Sequence, residues 1–304
     1  MGGVMDLRRW AVVAAAVVFA VSATACTQDA ALPSNVSNKP LRAKDFDRSP
    51  TPKTGQRKER SHKRKADATE VNTWFPLVPG LQVVKDGHVN VGDRRLTHRI
   101  VYTITDATKM INGVRATAVL DQDFNGGELA EQALDFVAQD EKGNVWYLGS
   151  YTETYEGGQF VNATDAWLAN VNGAKAGILM PAHPKKGHSF LQATVPGEGS
   201  AVAQVVKTGA RECVPFKCYS DVVVLQEGPT GGGEYKYLAP GVGGIKTEPN
   251  YSGGEQEVEV LVNVRELSPR GIAEISAEAI RLDRHAREVA ATVFARMPPA
   301  KRTR

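Results

Sequence analysis

Side-chain character that alternates with a period of two, broken by glycine-rich turns, constrains this chain more than any other feature. The stretches "HRIVYTIT" (His98 to Thr105), "VRATAVLDQDF" (Val114 to Phe124) and "NVWYLGSYTETY" (Asn144 to Tyr155) all read this way. The pattern returns in "AVAQVVKTG", "SDVVVLQEG", "EYKYLAPGVGGIKTE" and "EVEVLVNVREL". Between them lie "DGHVNVGD", "INGV", "NGGE", "DEKGN", "YEGGQ", "NVNGAKAG" and "PTGGGE". Short strands bounded by such turns predict a mainly β fold. The expected form is one curled antiparallel sheet, a half-barrel or barrel, over residues 71–265, with a β-sandwich as the alternative. About 190 residues suffice for one sizeable core.

The segment "DQDFNGGELAEQ", Asp121 to Gln132, imitates a calcium loop, with Asp121, Asp123 and Asn125 at alternate places and Gly126 at the sixth. A helix–loop–helix calcium site needs a bidentate acid at its twelfth place, where this chain has Gln132. Its flanks alternate with period two, so "NGG" reads as a hairpin turn, whose positive φ glycine accepts. In Val114 to Phe124, the apolar face carries Val114, Ala116, Ala118, Leu120 and Phe124. Asp121 and Asp123 then fall on the opposite face, which is expected to be the wet one.

The chain begins with Arg8 and Arg9, an apolar run from Trp10 to Val21, and small residues. That is the layout of an export signal over residues 1–25, and it is too short to be a convincing membrane span. The signal ends in "ATAC", Ala23 to Cys26, which resembles the lipobox of bacterial lipoproteins, with alanine where leucine is usual. The resemblance implies a diacylglycerol on Cys26, which becomes the mature N-terminus. Ordinary cleavage leaving a free thiol is the other reading, and an exported protein rarely keeps a lone reactive cysteine there. A twin-arginine route through Arg8 and Arg9 fits the flanking residues weakly. Two acyl chains, at about 0.8 kcal/mol per buried methylene, give stable anchoring, so the expected location is extracytoplasmic and membrane-attached.

Residues 26–70 lack apolar periodicity and read as a basic, disordered tether. The run "RKERSHKRK", Arg57 to Lys65, could contact anionic lipid or a wall polymer. A solvated linker is the simpler reading. The whole chain carries +3, yet from Ala66 onward 24 Lys and Arg stand against 29 Asp and Glu. The folded part is therefore acidic, and its composition gives no reason to expect nucleic-acid binding.

Five phrases occur in order: "WFPLVPG" (Trp74 to Gly80), "AQDEKGNVWYLG" (Ala138 to Gly149), "NGAKAGILMPAHPKKGHSF" (Asn172 to Phe190), "VPFKCYSDVV" (Val214 to Val224) and "KYLAPGVGGIK" (Lys236 to Lys246). Together they resemble a widespread group of secreted bacterial β-proteins without an assigned activity. The resemblance implies a curled sheet similar to lipoprotein-carrier and lipocalin-like folds. It brings no catalytic residues, and function does not follow from such a fold.

Cys213 and Cys218 frame "VPFK", a spacing that suits neither a redox motif nor a zinc knuckle. Across a short hairpin, in an oxidising compartment, they are expected to form a structural disulfide. His183 and His188 bracket "PKKG", but Lys185 and Lys186 oppose a cation there, so no metal site is expected. There is no G-x-S-x-G and no GK[ST] phosphate loop, so no catalytic residue and no cofactor is assigned. Trp74, Trp146 and Trp167 suit either a ligand groove or the core.

The C-terminal segment differs in kind. Ser268 is an N-cap and Pro269 suits the first helical position. Ile272, Ile275, Ala279, Leu282, Ala286, Val289 and Val293 recur at 3–4 spacing, predicting one amphipathic helix over residues 266–297 and a tail over 298–304. Asp283 and Arg287 are expected on its polar side as an i,i+4 pair. The stripe is expected to pack on the sheet, with self-association as the alternative. The expected function is binding, without catalysis, of an apolar or amphiphilic ligand or an envelope partner. The rivals are a hydrolase acting on envelope material and a structural lipoprotein.

Overall fold

The structure is a computed structural model and describes residues 36–37, 40–46, 71–91, 94–228, 233–250 and 257–303. The export signal, Cys26 and the basic run at 57–65 lie outside the described residues. In chain order the strands are β1 (Val36–Ser37), β2 (Leu81–Val91), β3 (Arg94–Ile111), β4 (Val114–Asn125), β5 (Glu128–Gln139), β6 (Val145–Glu156), β7 (Gln159–Leu168) and β8 (Lys175–Met180). Then come β9 (Ser189–Val195), β10 (Gly199–Cys213), β11 (Cys218–Glu227), β12 (Glu234–Ala239), β13 (Gly243–Pro249), β14 (Glu257–Glu266) and β15 (Lys301–Arg302). Helix α1 (Pro269–Val289) and the short α2 (Ala291–Phe294) separate β14 from β15.

Strands β2 to β6 and β8 to β14 close a barrel of twelve antiparallel strands, not a sandwich. Closure runs through β6, whose first residues pair with β8 while β8 pairs with β9. The rest of β6 pairs with β7, which lies off the ring. Gly149 marks this change of partner. A Cβ there would lie 2.6 Å from Leu168 Cδ2, so only glycine lets β7 come in beside it. Closure removes the sheet edges that an open curled sheet would expose.

The apolar core lies between the barrel wall and α1. Ala116, Ala118 and Leu120 of β4 and Leu134 and Phe136 of β5 face outward and are buried under the helical segment. Ala279, Leu282 and Ala286 meet them, as the 3–4 spacing predicts, and Ser268 caps α1 by accepting from Gly271 N. Burying one leucine such as Leu282 contributes about 2 kcal/mol. Val289, expected in the stripe, is 44% exposed. The helix stops at Ala290, where φ −114° and ψ 44° leave the helical region. The turn lets Phe294 drop between Phe136 and Tyr151, at ring distances of 6.1 and 5.3 Å.

Asp283 is not on the polar side. It is buried and takes Lys109 Nζ at 2.8 Å and Ala300 N at 2.8 Å. The expected tail is likewise no tail: Lys301 and Arg302 pair with β3, and Arg302 grips Asp106 at 2.8 Å. Part of the expected tether also folds. Val36 and Ser37 pair in parallel with β9, and Leu41 and Phe46 pack on the core, Phe46 lying 5.8 Å from the Trp146 ring. These apolar residues are sparse in sequence, but each finds a site on the barrel wall.

Candidate functional site in the barrel lumen

Twelve strands enclose more space than inward side chains fill, since eight are about enough to close a packed core. One end is sealed by residues 71–80. Asn72 Nδ2 donates to Gly143 O at 2.8 Å and to Pro181 O at 3.3 Å, Gly241 N donates to Thr73 O, and Trp74 Nε1 donates to Asp221 O. The segment therefore crosses the barrel end, and Phe75 reaches Tyr102 at 6.3 Å. Above this strap the lumen is apolar, with Val83, Leu225, Leu238 and Tyr147, whose ring lies 5.0 Å from that of Trp167 on β7. Farther along the strands it becomes charged.

That charged half corrects the expectation for Asp121 and Asp123. Both face inward, because the helix covers the other face of β4. Asp123 pairs across strands with Glu131, and Asp121 with Ala133. Glu227 and Glu234 form a second directly opposed acidic pair, which Lys236 bridges at 2.9 and 3.2 Å. Lys85 is bonded to Glu259, which also accepts from Thr247 Oγ1 at 2.7 Å. Opposed like charges cost energy in a sheet. Here burial adds to that cost.

The electrostatics follow from this crowding. Burial, then the charges of Asp123 and Asp121, push the Glu131 carboxyl up to about 10, so it is protonated at neutral pH. Burial and Asp123 hold Asp121 well above the usual carboxylate range, and burial with Glu198 lifts Asp165 to about 7. Burial would lower Lys85, but Glu259 and Asp121 outweigh it and raise the amine. His98 is raised to about 9 against the pull of burial, chiefly by Glu257 beside it. Among the described residues, Asp121 Oδ1, Glu131 Oε2 and Glu259 Oε2 are buried without a hydrogen-bond partner. The cavity is about 130 Å³, and six carboxylates and three lysines line it.

The lumen brings together what the sequence left scattered. His98 from β3 and Glu257 and Glu259 from β14 place one donor atom each within 4.8 Å of one another. No local motif marks them, so they were missed when no metal site was expected. The available signal was "EVEV" at 257–260 and its acidic counterparts on β4 and β5. His183 and His188 are not in such a group; His183 is exposed and His188 leans on Phe190 at 5.9 Å. Cys213 and Cys218 are bonded across the β10–β11 hairpin and are not among the residues lining the cavity. Trp146 lies outside the lumen, donating to Asp140 at 3.0 Å.

A larger hollow, about 290 Å³, lies outside the barrel between α1 and β6–β7. Its centre is Glu153, which accepts from the Tyr151 and Tyr155 hydroxyls and lies 2.5 Å from His285 Nδ1. Arg281 there is taken by Glu278 at 2.6 Å. These groups satisfy one another and fasten the helix to the wall, so we place the functional site in the lumen.

Neither a protein-family model nor a curated protein matches the chain. Among solved structures, a candidate lipoprotein from Parabacteroides distasonis ATCC 8503 is similar at a TM-score of 0.37 and 14% identity, over 64% of this chain and 100% of that one.

Proposed function

We propose that this is an exported, lipid-anchored binding protein of the cell envelope whose barrel lumen takes a small cation. The signal and the "ATAC" sequence at Cys26 support export and anchoring. One observation carries the ligand class: Glu259, 2% exposed, lines the cavity and keeps one carboxylate oxygen without a hydrogen-bond partner. A buried carboxylate oxygen without a partner is costly even when its neighbour is bonded, as Glu259 Oε1 is to Lys85 and Thr247, and a bound cation removes that cost. The cavity's charge and its 130 Å³ favour a small amine or metal ion over the acyl chain of a lipid carrier.

The hydrolase alternative has one observation in its favour, the Asp123–Glu131 pair with Glu131 protonated at neutral pH. The test uses full-length Cys26→Ser protein, exported and purified without detergent or chelator. Native mass spectrometry is expected to show a small adduct that acid removes. A bare mass, with no heat on titration with spermidine, choline or divalent cations, sinks the binding reading. Lipidation is checked on wild type: a diacylglycerol adduct at Cys26 and release of Cys26→Ser from membranes are expected, and a Cys26→Ser protein that stays membrane-bound refutes it.

A further inference from the structure

We propose that His98, Glu257 and Glu259 form a binding site for one divalent transition-metal ion. The inference rests on the reading of the lumen as a cation site and names the ion class and its ligands. The geometry begins with Gly87. In the barrel wall it pairs with His98 on one side and with Glu259 on the other. The residue between the two ligands thus has no side chain, and His98 and Glu259 can converge over it. No other residue fits: a Cβ on Gly87 would lie 1.7 Å from Val258 O. Glu257, two residues along β14, completes the triangle, with the three donor atoms within 4.8 Å of one another.

The surrounding groups orient these ligands as the outer shell of a metal site does. His98 Nδ1 lies 2.7 Å from Asn125 Oδ1, so Nδ1 carries the hydrogen and Nε2 faces the carboxylates. Nε2 lies 3.2 Å from Glu257 Oε1, an ion-pair contact whose angles fall short of a hydrogen bond. Glu259 is held through Oε1 by Lys85 and Thr247, which leaves Oε2 without a partner although the residue is 2% exposed. The ion would take the place of the Nε2 proton that Glu257 faces, and the resulting neutral imidazole with two carboxylates balances a divalent charge. One nitrogen and two carboxylates suit zinc, manganese or ferrous iron, whereas calcium takes six to eight oxygens and Cu(I) prefers sulfur.

The experiment uses the full-length Cys26→Ser protein, stripped with a chelator and then equilibrated with Zn²⁺ or Co²⁺. One equivalent of metal is expected by elemental mass spectrometry, with visible Co²⁺ ligand-field bands reporting the donors. Glu259→Gln and His98→Gln should lose the metal and the bands while the far-UV circular dichroism stays that of wild type. Asn125→Ala, a change one step removed from the ion, should weaken binding by roughly 10–100-fold, and covers the case in which a ligand variant fails to fold. Glu274→Gln, exposed on α1 and paired with Arg270, should leave stoichiometry unchanged. Metal held equally by wild type, Glu259→Gln and Asn125→Ala overturns the assignment. Absence of metal with retained binding of spermidine or choline overturns this inference alone. Absence of both overturns the lumen reading as well.

Discussion

Replacing Glu131 by glutamine should flatten the pH dependence of stability in a window that the structure defines. In the fold its carboxyl is raised from 4.5 to about 10 by burial, then by Asp123 and Asp121 on β4, Glu257 on β14 and Asp165 on β7. The folded pKa is raised, so the stabilising contribution is fully present below pH 4.5 and is lost as pH rises toward 10. Between those limits the folded chain holds a proton that the unfolded chain releases. One such proton costs about 1.4 kcal/mol per pH unit. From pH 5.5 to pH 8.5 that is about 4 kcal/mol, or roughly 8–16 °C in melting temperature for a domain of this size. Glutamine keeps the shape and hydrogen-bonding capacity but has no proton to lose. The assay is urea or thermal unfolding of Cys26→Ser protein, with and without Glu131→Gln, at three pH values in chelator. Wild type should lose stability as pH rises, and the variant should lose about 4 kcal/mol less over the window. His98, raised from 6.5 to about 9, and Asp165, raised from 3.8 to about 7, act in the same direction and leave a residual slope in both proteins. Parallel curves for the two proteins would refute the assignment of a buried, protonated carboxyl to Glu131.

Three further outcomes test the fold. Lys109→Met leaves Asp283 buried with Ala300 N but without its cation, and should cost about 3–5 kcal/mol in denaturant unfolding; adding Asp283→Leu should recover most of it, and no recovery would refute the pairing account. Cys213→Ala with Cys218→Ala opens a very short loop and should cost about 2 kcal/mol in denaturant unfolding; an unchanged midpoint would show that the bridge does not stabilise the hairpin. Ser268→Ala removes the side-chain acceptor for Gly271 N and should cost about 1 kcal/mol; an unchanged unfolding midpoint would show that the cap contributes nothing.

The two faces of β4 show where sequence reading stops. Alternation separates Ala116, Ala118 and Leu120 from Asp121 and Asp123, and the structure keeps that separation. The expectation that the acidic face meets solvent fails because α1 lies over the apolar one and the barrel closes over the other. Periodicity says that two faces differ, not which is inside. Asp283 makes the same point on the helix. Its position on the wheel looked polar and exposed, until Lys109, 174 residues away in sequence, supplied its partner.

By itself the sequence determined a mainly β chain with its hairpin turns, a capped C-terminal helix with an apolar stripe, and a disulfide between Cys213 and Cys218. Each depends on neighbours within a few residues, through backbone periodicity, positive-φ turns and short-range covalent reach. Tertiary structure alone decided that the sheet closes on itself through β6, β8 and β9, and that its acidic face became the lining of a cavity. It also brought His98, Glu257 and Glu259 together across Gly87. His98 lies far from the two glutamates along the chain, and their convergence depends on strand register and on which face is enclosed, which no local spacing encodes.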